Sequence, residues 1–102
     1  MAGSSPSRSA LSEGDIQTAL ADLPGWSFAN DRLERTLTFN SFREAVTFLV
    51  AMSYEAETLN HHPEIVNVYG TVRFGLTTHD AGNKVTEMDL ELARRINRVA
   101  WV

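Results

Sequence analysis

All three histidines of this 102-residue chain lie in two short segments, and histidine is the side chain best suited to proton transfer near neutral pH. His61 and His62 are adjacent and precede Pro63, whereas His79 follows a run that is typical of a β-strand. The chain contains no cysteine, which excludes thiol catalysis, disulfides and thiolate metal sites. Acid–base chemistry by imidazole groups is therefore the first functional hypothesis.

The strand pattern between the two segments predicts that the histidines lie close together. Val66 and Val68 alternate on the first strand of a predicted hairpin. The second strand has its own alternating apolar positions, Val72, Phe74 and Leu76. Placing both apolar sets on one face requires Val68 to lie opposite Val72. Continued outward, this register places His79 opposite His61. The same alternation puts His79 on the less apolar face, together with Arg73, Gly75 and Thr77.

Two other interpretations of the histidines remain open. A His-His-Pro segment is also typical of a helix end, where histidine interacts favourably with the helix dipole. Three histidines can bind zinc, but adjacent residues on an extended chain point in different directions, which disfavours a metal shared by His61 and His62. Acid–base chemistry fits better because imidazole and imidazolium coexist near pH 7. Glu57 lies one helical turn before His61, where a carboxylate would favour the proton-donating form.

Three helices that must position these residues are predicted from capping residues and apolar stripes. The first runs from Ser12 to Pro24-Gly25, the second from Ser41 to about Leu59, and the third begins at Thr86 with Asp89 as its capping partner. The stripe of the second helix is Phe42, Ala45, Val46, Leu49, Met52, Ser53, Ala56 and Leu59. Phe48 and Val50 lie outside that stripe, and this second apolar face suggests a contact between subunits.

Four strands are predicted as two hairpins, 26–30 with 33–39 and 65–69 with 71–78. Asn30-Asp31 and Gly70 supply the turns. The order α-β-β-α-β-β-α predicts an α+β fold, a two-layer sandwich in which a four-stranded antiparallel sheet has helices on one face. Such a sheet has two open edges, and edges are commonly covered by a second subunit, so we expect a homodimer or homotetramer.

Composition narrows the range of partners and the domain organisation. The formal net charge is −4, and an acidic surface disfavours direct binding of nucleic acid or of an anionic membrane. No apolar run approaches the roughly 18 residues that span a bilayer. Residues 1–10 are rich in serine, alanine and glycine and are predicted to be disordered. Residues 11–102 have the length of a single domain.

The residues around the histidines resemble the motif of the pterin-4a-carbinolamine dehydratases. The matching positions are Glu57, His61-His62-Pro63, Asn67-Val68-Tyr69, Thr78-His79-Asp80 and Asp89. Gly25-Trp26 and the helix start from Ser41 to Ala45 are similar to the family as well. The resemblance covers roughly residues 11–101.

This resemblance implies a cytoplasmic dehydratase that needs no cofactor and no metal. Its pterin substrate would be 4a-hydroxytetrahydrobiopterin, which loses water to give the quinonoid dihydropterin in tetrahydrobiopterin recycling. His61 and His79 would form the catalytic acid–base pair, and His62 would complete the catalytic group by binding and orienting the pterin. The substrate-binding positions would be Glu57, Asn60, Pro63, Thr78 and Asp89. Capping of Thr86 is an equally good interpretation of Asp89.

Two positions depart from the family pattern, and a second role stays open. Asn60 stands where many members have an acidic residue, and Ile65 stands where many have an aromatic one. The first change removes a charge beside the histidines and the second removes a stacking surface. The resemblance also implies an alternative without catalysis, in which the chain binds a protein partner as a dimerisation cofactor or assembly chaperone. The presence of all three histidines favours catalysis.

Overall fold

The computed structural model describes residues 6–102, and their fold is the predicted two-layer α+β sandwich. The elements in chain order are α1 (Glu13–Leu20), β1 (Ser27–Ala29), β2 (Arg32–Thr38), α2 (Phe42–Leu59), β3 (Glu64–Val68), β4 (Thr71–Leu76), a 3₁₀ helix (His79–Ala81) and α3 (Glu87–Val99). The four strands form one antiparallel sheet in the order β1-β2-β4-β3. The predicted order of elements is confirmed. Residues 1–5 of the segment predicted to be disordered lie outside the described residues.

Side-chain caps begin the helices at the predicted residues. The Ser12 hydroxyl accepts a hydrogen bond from the backbone of Asp15, and Thr86 forms a complete capping box with Asp89. The end predicted for α1 was wrong. That helix stops at Leu20, because three-residue turns replace the helical hydrogen bonds before Pro24-Gly25 is reached. Within residues 6–102, no helix has the length and apolar character needed to cross a membrane.

The hydrophobic core lies between the sheet and helices α2 and α3. It includes Phe48 and Met52 from α2, Leu92 and Ile96 from α3, and Leu33, Leu37, Val72, Phe74 and Leu76 from the sheet. The stripe predicted for α2 was partly wrong, because Phe48 is fully buried whereas Phe42 and Val46 are exposed. The row that meets the core is Ala45, Phe48, Met52 and Ala56. A second apolar face does exist, and it consists of Phe42, Val46, Val50 and Tyr54.

The hairpin of β3 and β4 is shifted by one residue from the predicted register. Val68 pairs with Thr71, and Val72 lies opposite Asn67 rather than opposite Val68. Since side chains alternate along a strand, Val66 and Val68 lie on the face of the sheet without helices and are exposed. The assumption that both apolar sets share the core face was therefore wrong.

A tight turn accounts for the shift. Tyr69 and Gly70 form a two-residue connection, whereas the predicted pairing needed three residues. Gly70 is held in place because its carbonyl accepts a 2.8 Å hydrogen bond from the backbone N–H of Phe39. A Cβ atom on Gly70 would come within 2.6 Å of the Phe39 carbonyl oxygen, so only glycine fits. Strand β3 begins after His61 and His62, and β4 ends before His79, so His79 is not a ladder partner of His61.

Candidate active site

The three histidines border one cavity of about 520 Å³, although the predicted register that suggested their proximity was wrong. The cavity lies where α2 leads into β3 and where β4 leads into the 3₁₀ helix. Asn60 and Pro63, which were also predicted for the site, line the same cavity. All three imidazole groups of the chain therefore lie at one cavity, although they come from two separate connections of the fold.

The end of α2 directs the first two histidines toward the cavity. Asn60 adopts the left-handed conformation, with a φ of 51°, and ends the helix. The backbone N–H of His61 then bonds back to the carbonyl of Ala56 at 3.0 Å. Asparagine is one of the few residues besides glycine that tolerates this conformation. Asn60 thus has a local structural role as well as a place on the cavity wall.

His61 is buried and hydrogen-bonded to a buried carboxylate. Its Nε2 lies 2.5 Å from Oδ1 of Asp89, and the two side chains are 7 % and 0 % exposed. The other oxygen of Asp89, Oδ2, accepts hydrogen bonds from the backbone N–H of Thr86 at 2.9 Å and from the Thr78 hydroxyl at 2.8 Å. Both interpretations of Asp89 are therefore realised together, since one oxygen caps α3 and the other holds His61.

The donors around Asp89 determine which nitrogen of His61 carries a proton. The backbone N–H of Met88 donates to the Thr86 hydroxyl, and Thr78 donates its own proton to Asp89. The Thr86 hydroxyl lies 2.7 Å from the Thr78 oxygen and must donate to it. An ionised carboxylate only accepts hydrogen bonds, so Nε2 of His61 must also be a donor. Nδ1 is then the nitrogen of His61 that is free to accept a proton.

His62 forms a histidine–carboxylate pair of similar length in a different environment. Its Nε2 lies 2.6 Å from Oε2 of Glu57, and the two side chains are 61 % and 75 % exposed. Glu57 was predicted one turn before His61, but its partner is His62. Water screens a pair that is this exposed, so its geometry is only weakly enforced.

His79 is exposed at the cavity and begins the 3₁₀ helix. The preceding residue, Thr78, is buried, and its backbone N–H bonds to the carbonyl of Lys84 at 2.9 Å. Thr78 and Asp89 were predicted to bind substrate, but neither lines the cavity. They reach the site through His61, which their hydrogen bonds hold in place.

Several residues that line the cavity were not among the predicted site residues. They are Arg8, Arg32, Glu64, Gly75, Thr77 and Asp80. Strand alternation already placed Gly75 and Thr77 on the same face as His79, so the sequence could have predicted both as site residues. No sequence pattern near Arg32 predicts that it belongs to the site, because only the pairing of β2 with β4 brings it there. Within the described range 6–102, no three His, Asp or Glu side chains are arranged to hold a metal ion.

Comparisons with known proteins identify the family of the chain. The model of the pterin 4 alpha carbinolamine dehydratase family matches residues 9–99. The chain therefore belongs to this family.

Two named relatives and one solved structure are similar to most of the chain. A protein of Opitutus terrae named "Putative pterin-4-alpha-carbinolamine dehydratase" is 54% identical over 92 residues, which are 90% of this chain and 95% of the relative. A protein of Rhodopseudomonas palustris with the same name is 48% identical over 88% of this chain and 90% of the relative. The crystal structure of a transcriptional coactivator/pterin dehydratase from Brucella melitensis matches with a TM-score of 0.84 and 36% identity, covering 89% of this chain and 98% of that one.

Proposed function

We propose that this protein dehydrates 4a-hydroxytetrahydropterins by histidine acid–base catalysis, with 4a-hydroxytetrahydrobiopterin as the substrate in tetrahydrobiopterin recycling. Membership of the family and the names of its relatives support the substrate class. The observation that carries the proposal is the gathering of His61, His62 and His79 around one cavity, with His61 held by buried Asp89. The proposal includes a cytoplasmic location, which rests on the family resemblance alone.

The reaction requires two proton transfers. The bond between carbon 4a and the hydroxyl oxygen breaks, and the departing oxygen takes a proton from an acid and leaves as water. The adjacent ring nitrogen, N5, loses its own proton to a base while the double bond from carbon 4a to N5 forms. Electrons and atoms balance without an oxidant, a reductant or a nucleophile, so one acid and one base are sufficient.

His61 and His79 are the proposed acid–base pair, because they approach the cavity from two different connections of the fold. Asp89 keeps the proton of His61 on Nε2, which leaves Nδ1 to exchange a proton with the substrate. His79 is exposed at the cavity and has no such buried partner carboxylate among residues 6–102. We assign His62 to binding and orienting the pterin.

A dehydration assay with single histidine variants tests this function. We expect His61→Ala and His79→Ala each to lower kcat by about 10²-fold or more, because each removes one proton-transfer group. His62→Ala is the matched control, and its main effect is expected on KM. Thermal unfolding must show that all three variants fold. Wild-type protein that leaves the rate of 4a-carbinolamine dehydration at its uncatalysed value would refute the proposal.

We further propose that the chain forms a homodimer or homotetramer. Strand β3 is a sheet edge, and Val66 and Val68 on it are exposed. The exposed face of α2, formed by Phe42, Val46, Val50 and Tyr54, is a second apolar surface. Sedimentation of the wild type against Val68→Lys and Val50→Lys variants tests the two surfaces separately. A wild-type monomer at micromolar concentration would contradict the assembly.

A partner-binding role is the second candidate function. The matched structure from Brucella melitensis is described as a transcriptional coactivator as well as a pterin dehydratase. The exposed face of α2 could serve that role if it does not bind a second copy of the chain. A pull-down in which a partner is retained by the His61→Ala, His62→Ala, His79→Ala triple variant and lost by Val50→Lys would support it.

A further inference from the structure

Arg32 forms a bridge between two carboxylates on the sheet face without helices. Its Nε lies 2.9 Å from Oε2 of Glu34, and its Nη1 lies 2.5 Å from Oε1 of Glu64. Glu34 on β2 and Glu64 on β3 are the two ladder partners of Gly75 on β4. The guanidinium therefore spans three neighbouring strands and passes over the one position among them that has no side chain.

The guanidinium lies flat on Gly75. A Cβ atom built on this glycine would be 3.0 Å from Cζ, 3.0 Å from Nη1 and 3.1 Å from Nε of Arg32. Nearly equal distances to three atoms of one plane place that position over the face of the plane and not at its edge. Any larger residue at position 75 would tilt or displace the guanidinium. The glycine thus supports one face of the group, and the carboxylates hold its edge.

The opposite face of the guanidinium points away from the sheet, and Arg32 lines the cavity that contains the histidines. Its side chain is 35 % exposed, so part of it is accessible from the cavity. The hydrogen bonds that Arg32 donates to Glu34 and Glu64 hold the pKa of Arg32 above its ordinary value, so it remains a cation. A planar cation fixed in this way is a stacking surface for a flat, electron-rich ring.

Thr77 supplies a second feature between this surface and His79. It lies two residues after Gly75, which is about 7 Å along an extended chain, and it also lines the cavity. Its hydroxyl oxygen is buried and has no hydrogen-bond partner among residues 6–102. A buried polar atom without a partner costs free energy that a bound ligand can recover.

We propose that the guanidinium of Arg32 is a substrate-binding surface on which the flat pyrimidinone ring of a pterin stacks, with Thr77 donating or accepting a hydrogen bond at the ring edge. This rests on the proposed dehydratase function, which it deepens by naming the groups that recognise the ring rather than those that move protons. The planarity of Arg32, and not only its charge, then determines affinity.

Fluorescence titration with 7,8-dihydropterin tests the stacking surface, since this probe has the ring and no side chain. Arg32→Lys keeps the charge and loses the plane, and Arg32→Met keeps only the apolar stem. We expect both to raise the Kd by about tenfold. Gly75→Ala keeps Arg32 but displaces its plane, and we expect a smaller rise. In the dehydration assay, KM should rise with kcat changed much less.

Arg73→Lys is the matched control, because Arg73 lies on the same strand and the same face two residues from Gly75 but does not line the cavity. Its Kd should equal that of the wild type, and thermal unfolding should show that every variant folds. Unchanged affinity in Arg32→Lys would mean that charge alone attracts the ligand. An equal loss in Arg73→Lys would mean that the effect is not specific to position 32. Either result would overturn the stacking surface.

The titration and the assay separate the two proposals. If the wild type binds dihydropterin through Arg32 but does not accelerate dehydration, the dehydratase function fails and the stacking surface stands. If it accelerates dehydration while Arg32→Lys binds normally, only the stacking surface fails. Wild-type protein without affinity for dihydropterin would overturn both.

Discussion

The site contains two histidine–carboxylate pairs that are alike in length and opposite in burial. The distance from Nε2 to the carboxylate oxygen is 2.5 Å between His61 and Asp89 and 2.6 Å between His62 and Glu57. The first pair is almost fully buried, and the second is exposed to solvent on both sides. Distance alone would rank the two pairs as equals.

Their surroundings show why they are not equivalent. Asp89 accepts hydrogen bonds from three groups and is held by the cap of α3, so its position is determined by the fold. Water competes for both partners of the outer pair and screens their attraction. The inner pair can therefore set the orientation and tautomer of its histidine, and the outer pair is free to move with a ligand.

Asp89→Asn tests the inner pair and should have the largest effect. The amide oxygen can replace Oδ2 and keep the cap of Thr86, but the amide NH₂ then faces His61 and requires Nε2 to accept. We expect kcat to fall by about 10²- to 10³-fold because the wrong tautomer is favoured. The free energy of unfolding should fall by only about 1 kcal/mol. A normal kcat in a folded variant would show that the tautomer of His61 does not matter.

Thr78→Val should have the next largest effect, on stability more than on rate. The substitution keeps the shape of a buried side chain but removes one donor to Asp89 and the acceptor of the Thr86 hydroxyl. We expect unfolding in urea to show a loss of about 1–3 kcal/mol. Thr36→Val, on the exposed sheet face, is the matched control. Equal losses in the two variants would contradict a special role for the buried network.

Glu91 extends the comparison to a carboxylate of intermediate exposure. Burial alone would raise the pKa of Glu91, but hydrogen bonds from Arg95 and Arg94 outweigh burial and lower it. A lowered pKa in the folded state stabilises the protein above the unfolded-state pKa of about 4.3, and this contribution is lost as the pH falls through the folded value.

Thermal unfolding of Glu91→Gln at pH 7 and at a series of falling pH values measures this contribution. We expect the midpoint to fall at pH 7, and the difference from the wild type to shrink as the pH falls through the lowered pKa of Glu91 and the wild-type carboxylate becomes protonated. Glu91 also holds Arg95, which contacts Glu55 of α2 at 3.5 Å. Loss of the Glu91 carboxylate should therefore weaken the contact between α2 and α3. A difference that is constant with pH would exclude the ion pairs as its cause.

Glu57→Gln tests the outer pair and should have the smallest effect. An exposed ion pair contributes about 0.5 kcal/mol or less, so the unfolding free energy should barely change. We expect a small change in KM and none in kcat, since the Glu57 carboxylate bonds to His62 and Glu57 does not line the cavity. A loss in kcat comparable to that of Asp89→Asn would remove the distinction between the two pairs.

Much of the fold could be predicted because its signals are local. Ser12, Ser41 and Thr86 cap the helices at their expected positions, and Asn30-Asp31 forms the first turn with both residues at positive φ. Sequence spacing could not determine which apolar residues of α2 meet the core, because Phe42 and Phe48 suit a buried or an exposed face equally well. Burial of one and exposure of the other follow from where the sheet lies.

The candidate site was likewise predicted in part. Its histidines were found from the sequence, because residue type identifies groups that transfer protons near neutral pH. The two-residue turn at Gly70 and its close approach to Phe39 were not predicted, and the hairpin register was therefore wrong. The histidines still meet, because the helix end at Asn60 positions the first two by local geometry.

By itself, the sequence determined the elements, their order, the family motif and the groups able to move protons, since each depends on residues close together in the chain. Only the tertiary structure decided that Asp89 holds His61 and that Arg32 lies flat over Gly75. These contacts join residues 28 and 43 positions apart. Their partners are selected by packing of α3 against α2 and by strand pairing, which no local pattern specifies. The pair of Glu57 with His62 joins residues only 5 positions apart and follows from the turn at Asn60.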